Sequence, residues 1–559
     1  MQAEMGHYLD DHSGLYYQGH GLSGVWGAAM ELMVQVQDGA AAIAALAAGA
    51  AGVAVRLPRE PAPAWWSKAG TWQSAVRQRH RKFYLVWDRP VREAELPGAL
   101  KMLEAIARMT PDALVLRDPG LTREARLRFP QLPLHAAGNW GFQNSPGLRL
   151  AETLGFSGVV LEAPLSLKDL ALLRRQSSMP LTAVLPPSCQ GYAGLCLVAE
   201  HLGMECSQCC RPREQEAPAA VLMAALEMLS GWCQMGVEAI QVRGDFFPGD
   251  SLKRVLGLYQ AVWEAPPSAR PRVLAAAREV LASFGDRFMA APVRKDDLAA
   301  KEPPPKTPWH GPSAPQPQPG LVLGRGLVWL EARGYVEAAA LAREWRDPIL
   351  IRLTPENYAA FLPEHRRWSP RRLIWRLPPA IQESALSFYQ KALETLQQGG
   401  YNRLVAGDWG AVALAGAPGG EVYGDQTLGV RNTLALEAAR QLGVARVCLP
   451  PARRPEDWRP WLTAAPRGRF WSYLYHFPDL AVCPRAAALP PAAPGLRWVA
   501  DGDHSCLCKE SPEHLEQAAE WLASQGVAPL VVALPRSGLP WGKAPAVAAP
   551  GPRGSRPRK

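Results

Sequence analysis

The stretch ALVLRDPGLTREARLRFPQLPLHAAGNWGFQNSPGLRLAETLGFSGVVLE, residues 113–162, contains three short apolar runs separated by longer amphipathic segments. The runs ALVLR, PLHAA and GVVLE are short enough for buried strands, and the segments between them are long enough for helices. Parallel strands need a crossover of this length, whereas antiparallel strands can be joined by a tight turn. The stretch therefore predicts consecutive βα units around a parallel sheet.

The same alternation extends through the first half of the chain and predicts eight strands, the number that a (β/α)8 barrel requires. The predicted strands begin at Leu32, Val53, Phe83, Ala113, Pro133, Gly158, Leu181 and Ala239.

A second set of eight runs follows a proline-rich stretch, KEPPPKTPWHGPSAPQPQPG, at 301–320. These strands are predicted to begin at Leu327, Pro348, Arg372, Arg403, Glu421, Arg446, Phe470 and Pro529. At an offset of 288 residues the segment beginning at Asn144 lies over the segment beginning at Asn432 without a gap. We therefore predict an α/β fold of two tandem (β/α)8 TIM-barrel-like units related by internal duplication.

The predicted domain boundaries follow the changes in composition. An N-terminal extension occupies 1–29, a first barrel-like domain 30–300, a linker 301–320, a second repeat 321–538 and a basic tail 539–559. The tail is predicted to be disordered and removable from about Pro540, because it consists mainly of Pro, Gly and charged residues.

The charge and the apolar runs favour a cytoplasmic protein without a membrane span. Net charge is +10, and five positive charges lie at the C-terminus, at Lys543, Arg553, Arg556, Arg558 and Lys559. The part of the chain before this tail is expected to have no run of Lys and Arg. A solvated surface is therefore favoured over a nucleic-acid interface. The N-terminus does not have the pattern of a secretory signal, and the longest apolar run is short and consists mostly of alanine.

Five of the ten cysteines lie within 22 residues, in SCQGYAGLCLVAEHLGMECSQCCRP at 188–212. Clustered thiols in a reducing compartment are more typical of metal ligands or redox groups than of disulfides. Four thiolates can hold a [4Fe–4S] cluster or a zinc ion, and the spacing alone does not distinguish the two from each other or from a site without metal.

From residue 30 to about residue 265, and in detail at 113–170, the chain resembles the collagenase-like peptidase U-32 family, in its long two-repeat form. The shared features are a FPQLPLHAA strand, an Asn-Ser helix start, LGFSGVVL and LSL, followed by a YAGLC turn and later MGVEAIQVRGDF. Members of this family include peptidases that degrade collagen and iron–sulfur proteins that assist hydroxylation of RNA bases or of a ubiquinone precursor ring.

The resemblance implies a set of cofactor ligands. It assigns Cys189, Cys196, Cys206 and Cys210 to a [4Fe–4S] cluster, with Cys209 as an alternative ligand and zinc or no metal as alternative occupants. It also implies an RNA or a small aromatic substrate, and a protein partner from the same family.

Proteolysis is the less favoured activity. A peptidase needs an activated nucleophile, paired carboxylates or an open metal site, and the sequence contains neither HExxH nor GxSxG. A hydroxylation-type role is therefore favoured, and the alternatives are a collagenase-like protease and a degenerate, non-catalytic binding protein.

Reactive groups of a barrel lie at the C-terminal ends of its strands. The candidates at these ends are Asp88, Asp118, His135, Asn139, Glu162 and Arg243. Simpler structural interpretations compete with catalysis at three positions: a turn former for Asp118, a core residue for His135 and a helix cap for Asn144. In the second half, Cys483, His504, Cys506 and Cys508 have ligand chemistry, but their spacing fits no closed metal motif.

Overall fold

The fold was analysed on a computed structural model of the chain. It describes residues 31–161, 165–185, 218–244, 247, 250–282, 328–332, 334–343, 345–378, 380–416, 420–450, 458–476 and 519–533, and strands within 479–514. The predicted N-terminal extension, linker and tail lie outside the described residues, so their predicted properties stay predictions.

Eight parallel strands close into a first barrel within this described part, in the order β1 to β8, with β8 pairing back to β1. All eight strands predicted from the sequence of the first half are confirmed. They are β1 Glu31–Val36, β2 Gly52–Arg56, β3 Lys82–Trp87, β4 Ala113–Leu116, β5 Leu134–Ala136, β6 Gly158–Leu161, β7 Leu181–Val184 and β8 Ala239–Arg243.

Helices between the strands surround this barrel. They are α1 Gly39–Ala47, α2 Pro63–Arg77, α3 Leu96–Met109, α4 Pro119–Arg128, α5 Ser145–Thr153, α6 Leu167–Gln176, α7 Pro218–Gln234, α8 Asp250–Glu264 and α9 Arg270–Ala282. Several have side-chain caps: Asp38, Asp118, Asn144 and Ser166 accept hydrogen bonds from the first-turn amides of α1, α4, α5 and α6.

The second half forms a second closed parallel barrel, as the duplication predicted. Its strands are β9 Val328–Glu331, β10 Ile349–Arg352, β11 Leu373–Arg376, β12 Arg403–Ala406, β13 Glu421–Gly424, β14 Val444–Cys448, β15 Phe470–His476 and β20 Leu530–Ala533. Its helices are α10 Tyr335–Leu341, α11 Pro355–Phe361, α12 Leu386–Gln398, α13 Trp409–Ala415, α14 Thr433–Gln441, α15 Arg459–Ala464 and α16 Ala519–Ser524. Closure comes from the pairing of β15 with both β14 and β20 and of β20 with β9.

An antiparallel insertion between β15 and β20 was not predicted. It consists of β16 Asp479–Pro484, β17 Leu496–Asp501, β18 His504–Lys509 and β19 Glu513–His514. The first three form a separate sheet in the order β16–β18–β17, and β19 pairs with β15. Cys483, Cys506 and Cys508 therefore lie on strands of this insertion.

The interior of the second barrel is a separate apolar core with a contribution from each of its eight strands. Its members are Trp329, Leu350, Ile374, Val405, Tyr423, Cys448, Trp471, Tyr473, Val531 and Ala533. Four of these ten side chains are large aromatics, so this barrel is filled as a packed core and does not enclose a channel.

The two barrels pack through corresponding elements. Helix α4 packs against α14, and α5 packs against α13. Asn144 caps α5 and donates from Nδ2 to the Ile381 carbonyl at 2.8 Å, while Asn432 caps α14 and donates to the Val91 carbonyl at 2.8 Å. The predicted equivalence of Asn144 and Asn432 is confirmed, and each has a second role across the interface.

Glycines allow the helices to approach closely. A Cβ atom on Gly120 would lie 2.5 Å from the Ala435 amide nitrogen, and one on Gly410 would lie 2.7 Å from the Gly141 carbonyl oxygen. These contacts involve backbone atoms, which cannot rotate away as a flexible side chain can.

No helix in the described part of the chain is long and apolar enough to cross a membrane.

Candidate active site at the mouth of the first barrel

An ion pair joins neighbouring strands at the C-terminal mouth of the first barrel. Arg56 is the last residue of β2, and Asp88 directly follows β3. The Arg56 guanidinium donates from Nε to Asp88 Oδ1 at 3.1 Å and makes a second, shorter contact from Nη2 to Oδ2. This two-point contact fixes both side chains in a largely buried position.

A second polar group lies where β8 meets β1. Gln241 donates from Nε2 to Gln35 Oε1 at 2.8 Å, and both side chains are buried. Arg243, the last residue of β8, is the register partner of Gln35 and is also buried. Buried polar side chains at strand ends are costly unless they are hydrogen-bonded, so this layer marks the mouth as a polar site above an apolar barrel.

Asn139 lies in a short 3₁₀ turn after β5 and faces this region. Its Nδ2 donates to the Asp88 carbonyl at 2.9 Å. Its Oδ1 is buried and accepts no hydrogen bond from a described residue. An unsatisfied buried acceptor costs about 1–3 kcal/mol, so Oδ1 is suited to receive a donor from a bound molecule.

His135 lies on β5 and packs edge-on against Tyr84, with ring centroids 5.3 Å apart. Burial, assisted by Lys82, lowers the pKa of His135 to about 4, so the imidazole is neutral near pH 7. Lys82 is the first residue of β3. The charge that acts on His135 therefore lies at the N-terminal end of a strand, on the side of the barrel away from the mouth. These surroundings favour the structural interpretation of His135.

Asp118 caps α4 and lies in the contact between the barrels. Its carboxylate accepts hydrogen bonds from the amides of Val91 and Leu121 and from Asn432 Nδ2. Complete burial raises its pKa although these bonds oppose the shift. The structure thus gives Asp118 a capping and interface role.

The remaining predicted site residues cannot be located. Glu162 and the four cysteines Cys189, Cys196, Cys206 and Cys210, with the alternative Cys209, lie outside the described residues. The described part of the chain contains no group of three His, Cys, Asp or Glu side chains suited to a metal ion.

The mouth of the second barrel is organised differently. Arg376, at the end of β11, donates to Glu331 at 2.8 Å and makes a shorter contact with Asp425. Two carboxylates therefore contact one guanidinium above the aromatic core. Arg352, the register partner of Arg376, is also buried here.

Two features were missed in the sequence. Arg56 and Gln35 are strand residues whose polar character in otherwise apolar runs, VAVRL and LMVQV, could have indicated the mouth. The body also contains a basic run, RQRHRK at 77–82, so the expectation of a body without one was wrong. Every residue of this run is exposed.

The similarity to a known family lies in the first half of the chain, which forms the first barrel. Residues 68–288 match the model of peptidase family U32. A tRNA hydroxylation protein P from Escherichia coli is 27% identical over 150 residues, which is 25% of this chain and 33% of that protein. A tRNA hydroxylation protein P from Haemophilus influenzae is 27% identical over 139 residues, or 23% of this chain and 30% of that protein.

The chain thus spans about a third of the length of the curated relatives it matches. Among solved structures, a thiamine phosphate pyrophosphorylase from Pyrococcus furiosus aligns with 44% of this chain and 96% of its own, at 12% identity and a TM-score of 0.27. That likeness is too weak to indicate function. Through the barrel that contains the polar mouth, this chain is similar to peptidase family U32.

Proposed function

We propose that this protein assists hydroxylation of an RNA base at the mouth of its first barrel. Two observations support the proposal: the match to peptidase family U32, and two relatives whose names state a role in tRNA hydroxylation. The observation that supports the proposal most strongly is the position of the end of β7. In the sequence, the segment that contains the cysteines follows this strand.

The Leu185 amide donates to the Gln241 carbonyl at 3.0 Å, so the chain leaves β7 beside the end of β8. Leu185 therefore lies at the polar mouth, and it precedes Cys189 by four positions in the sequence. In this proposal Cys189, Cys196, Cys206 and Cys210 hold a [4Fe–4S] cluster, because four soft thiolate donors fit that group. When bound, the cluster would supply electron transfer.

The residues of the mouth would hold and orient the base. Asn139 Oδ1 would accept an N–H of the base, because this oxygen is buried and accepts no hydrogen bond from a described residue. The Arg56–Asp88 pair would fix the Asn139 side chain, since Asn139 Nδ2 is bonded to the Asp88 carbonyl. Arg243 would interact with a nearby anionic group, such as a phosphate.

The test is mass analysis of tRNA nucleosides from cells that lack the gene, complemented with variants of the full chain. Wild type should restore a nucleoside heavier by one oxygen atom, and Cys196→Ser should not. Cys448→Ala is a matched control, because that thiol is buried inside the second barrel. Asn139→Leu should lower the modified fraction while bound iron stays unchanged.

Two results would contradict the proposal. One is an unchanged set of RNA nucleosides together with loss of a hydroxylated ubiquinone precursor. The other is gelatin cleavage by purified wild type that Cys196→Ser does not affect, which would favour a peptidase.

A further inference from the structure

A basic turn, defined here as residues 77–82, joins α2 to β3. Arg77, Arg79, His80, Arg81 and Lys82 are all exposed. The surrounding sequence contains no acid: residues 61–87 include five Lys or Arg and no Asp or Glu. Such a one-sided composition produces a local positive field that the rest of this segment does not cancel.

Backbone hydrogen bonds hold the turn. Helix α2 ends at Arg77, and His80 adopts a left-handed conformation with φ of 53°. The amides of His80 and Arg81 return to the carbonyls of Arg77 and Val76 at 2.9 and 3.2 Å. The basic side chains are therefore attached to a rigid support, which lowers the entropy lost when a ligand binds.

Some basic residues elsewhere around the first barrel are ion-paired. Arg128 pairs with Glu104, and Arg174 pairs with Glu238 at 2.7 Å. In the basic turn, Lys82 pairs with Glu31 at 2.6 Å, but Arg77, Arg79 and Arg81 form no ion pair with a described carboxylate. Arg77 and Arg79 donate to the carbonyls of Thr110 and Ala75, which leaves their positive charge uncancelled.

The preference of a helix C-terminus for positive charge does not explain all the basic residues of this turn. A helix C-terminus is equivalent to about half a negative charge, and its effect falls off within the last turn. Arg77 satisfies that preference. Arg79, Arg81 and Lys82 lie beyond the helix.

The basic turn is connected to the mouth through α2. This helix begins after β2, whose last residue is Arg56 of the mouth pair, and it ends at the turn. Its 15 residues span roughly 22 Å along the helix axis. A structured RNA is large enough to contact both ends of this helix at once.

We propose that the basic turn binds the sugar–phosphate backbone of a structured RNA whose target nucleotide enters the mouth of the first barrel. This inference rests on the proposed RNA function. It adds a second contact region, on the opposite side of the barrel from the chemistry, that recognises phosphate rather than sequence. Residues 77–82 lie within the segment that matches the family model.

The experiment measures binding of unmodified tRNA by the full chain, for wild type and for the double variant Arg79→Gln/Arg81→Gln. At about 0.1 M salt the variant should bind roughly tenfold or more weakly, and the slope of log K against log salt should fall by about 1.5. The control is Arg278→Gln/Arg367→Gln, which removes the same charge from exposed arginines that are paired with Glu227 and Glu364. Its binding and its salt slope should equal those of wild type.

Equal binding and equal salt slopes for wild type and Arg79→Gln/Arg81→Gln would overturn the inference while leaving the RNA function intact. If wild type binds no tRNA and Cys196→Ser leaves all nucleosides unchanged, the RNA function itself fails. Binding to phosphatidylserine vesicles but not to tRNA, lost in the double variant, would assign the turn to a membrane surface instead. Thermal unfolding of both double variants at the wild-type midpoint checks that the turn still folds.

Discussion

Asn144 in the first barrel and Asn432 in the second occupy corresponding positions, and each makes the same pair of contacts: it caps its own helix and donates to the other barrel. The mouths of the two barrels differ. In the first, Arg56 contacts Asp88, and the buried Asn139 Oδ1 lacks a hydrogen-bond donor among the described residues. In the second, Arg376 contacts both Glu331 and Asp425 above a core that includes four large aromatic side chains.

Under the proposed function, this difference corresponds to a division of roles between the two barrels. The interface has kept matching residues in both copies, because each copy packs against the other through them. The residues of the two mouths are not matched in this way. We infer that the first barrel binds the reacting group and that the second mainly supports it.

The largest effect on folding free energy is expected from replacing the arginine at the mouth of each barrel. Arg376→Ala would leave two largely buried carboxylates without their shared cation, which should cost about 3–5 kcal/mol of folding free energy. Arg56→Ala would leave one carboxylate, Asp88, whose side chain is 12% exposed, so its cost should be smaller. Denaturant unfolding of both variants provides the comparison, and equal losses would argue against a structural role specific to the second mouth.

A smaller effect is expected at the interface. Gly120→Ala should destabilise the chain by about 1–3 kcal/mol, because the added Cβ would lie 2.5 Å from the Ala435 amide nitrogen. Gly70→Ala in α2 is the control, since a Cβ there meets nothing within 4 Å and should be neutral or stabilising. Thermal unfolding measures both, and a neutral Gly120→Ala would show that the barrels do not pack as described.

The smallest expected effect is on pH dependence. Burial raises the pKa of Asp408 to about 8, although the Ala411 and Gly410 amides and Arg117 oppose the shift. The folded state therefore binds a proton that the unfolded state releases near pH 4, so this group's contribution to stability falls as pH rises from about 4 to 8. Asp408→Asn should flatten that part of the pH profile, as measured by urea unfolding at several pH values.

Asp38→Asn is the matched control for this prediction. Asp38 also caps a helix, but it is exposed. Its substitution should leave the pH profile unchanged. A wild-type stability that rises steadily between pH 4 and 8, unaltered by Asp408→Asn, would contradict the assigned shift.

The strands of both barrels could be predicted because each is a short apolar run bounded by turn or helix signals, as in ALVLR or RLIWRL. The caps Asn144 and Asn432 could be predicted for a similar reason, since capping depends on residues only three positions away. Their contacts across the interface could not, because Asn432 and its partner Asp118 are separated by 314 positions. Nothing local in either segment indicates such a contact.

The antiparallel insertion escaped prediction for a different reason. Runs such as FPDLAVCP and DGDHSCLCKE mix polar residues and cysteines, so they indicate metal ligands as readily as strands. For the candidate site, polar residue types at strand ends pointed to Asn139 and Arg243, which lie at the mouth. They could not distinguish these from Asp118, which the packing of the second barrel assigns to the interface.

The most direct measurement is a count of iron and acid-labile sulfide on the full chain purified without oxygen, compared with Cys196→Ser and Cys448→Ala. The account predicts about four iron and four sulfide per chain in wild type and in Cys448→Ala, and loss of most of both in Cys196→Ser. Zinc in place of iron, or an iron content that Cys196→Ser leaves unchanged, would contradict a cluster at the mouth of the first barrel.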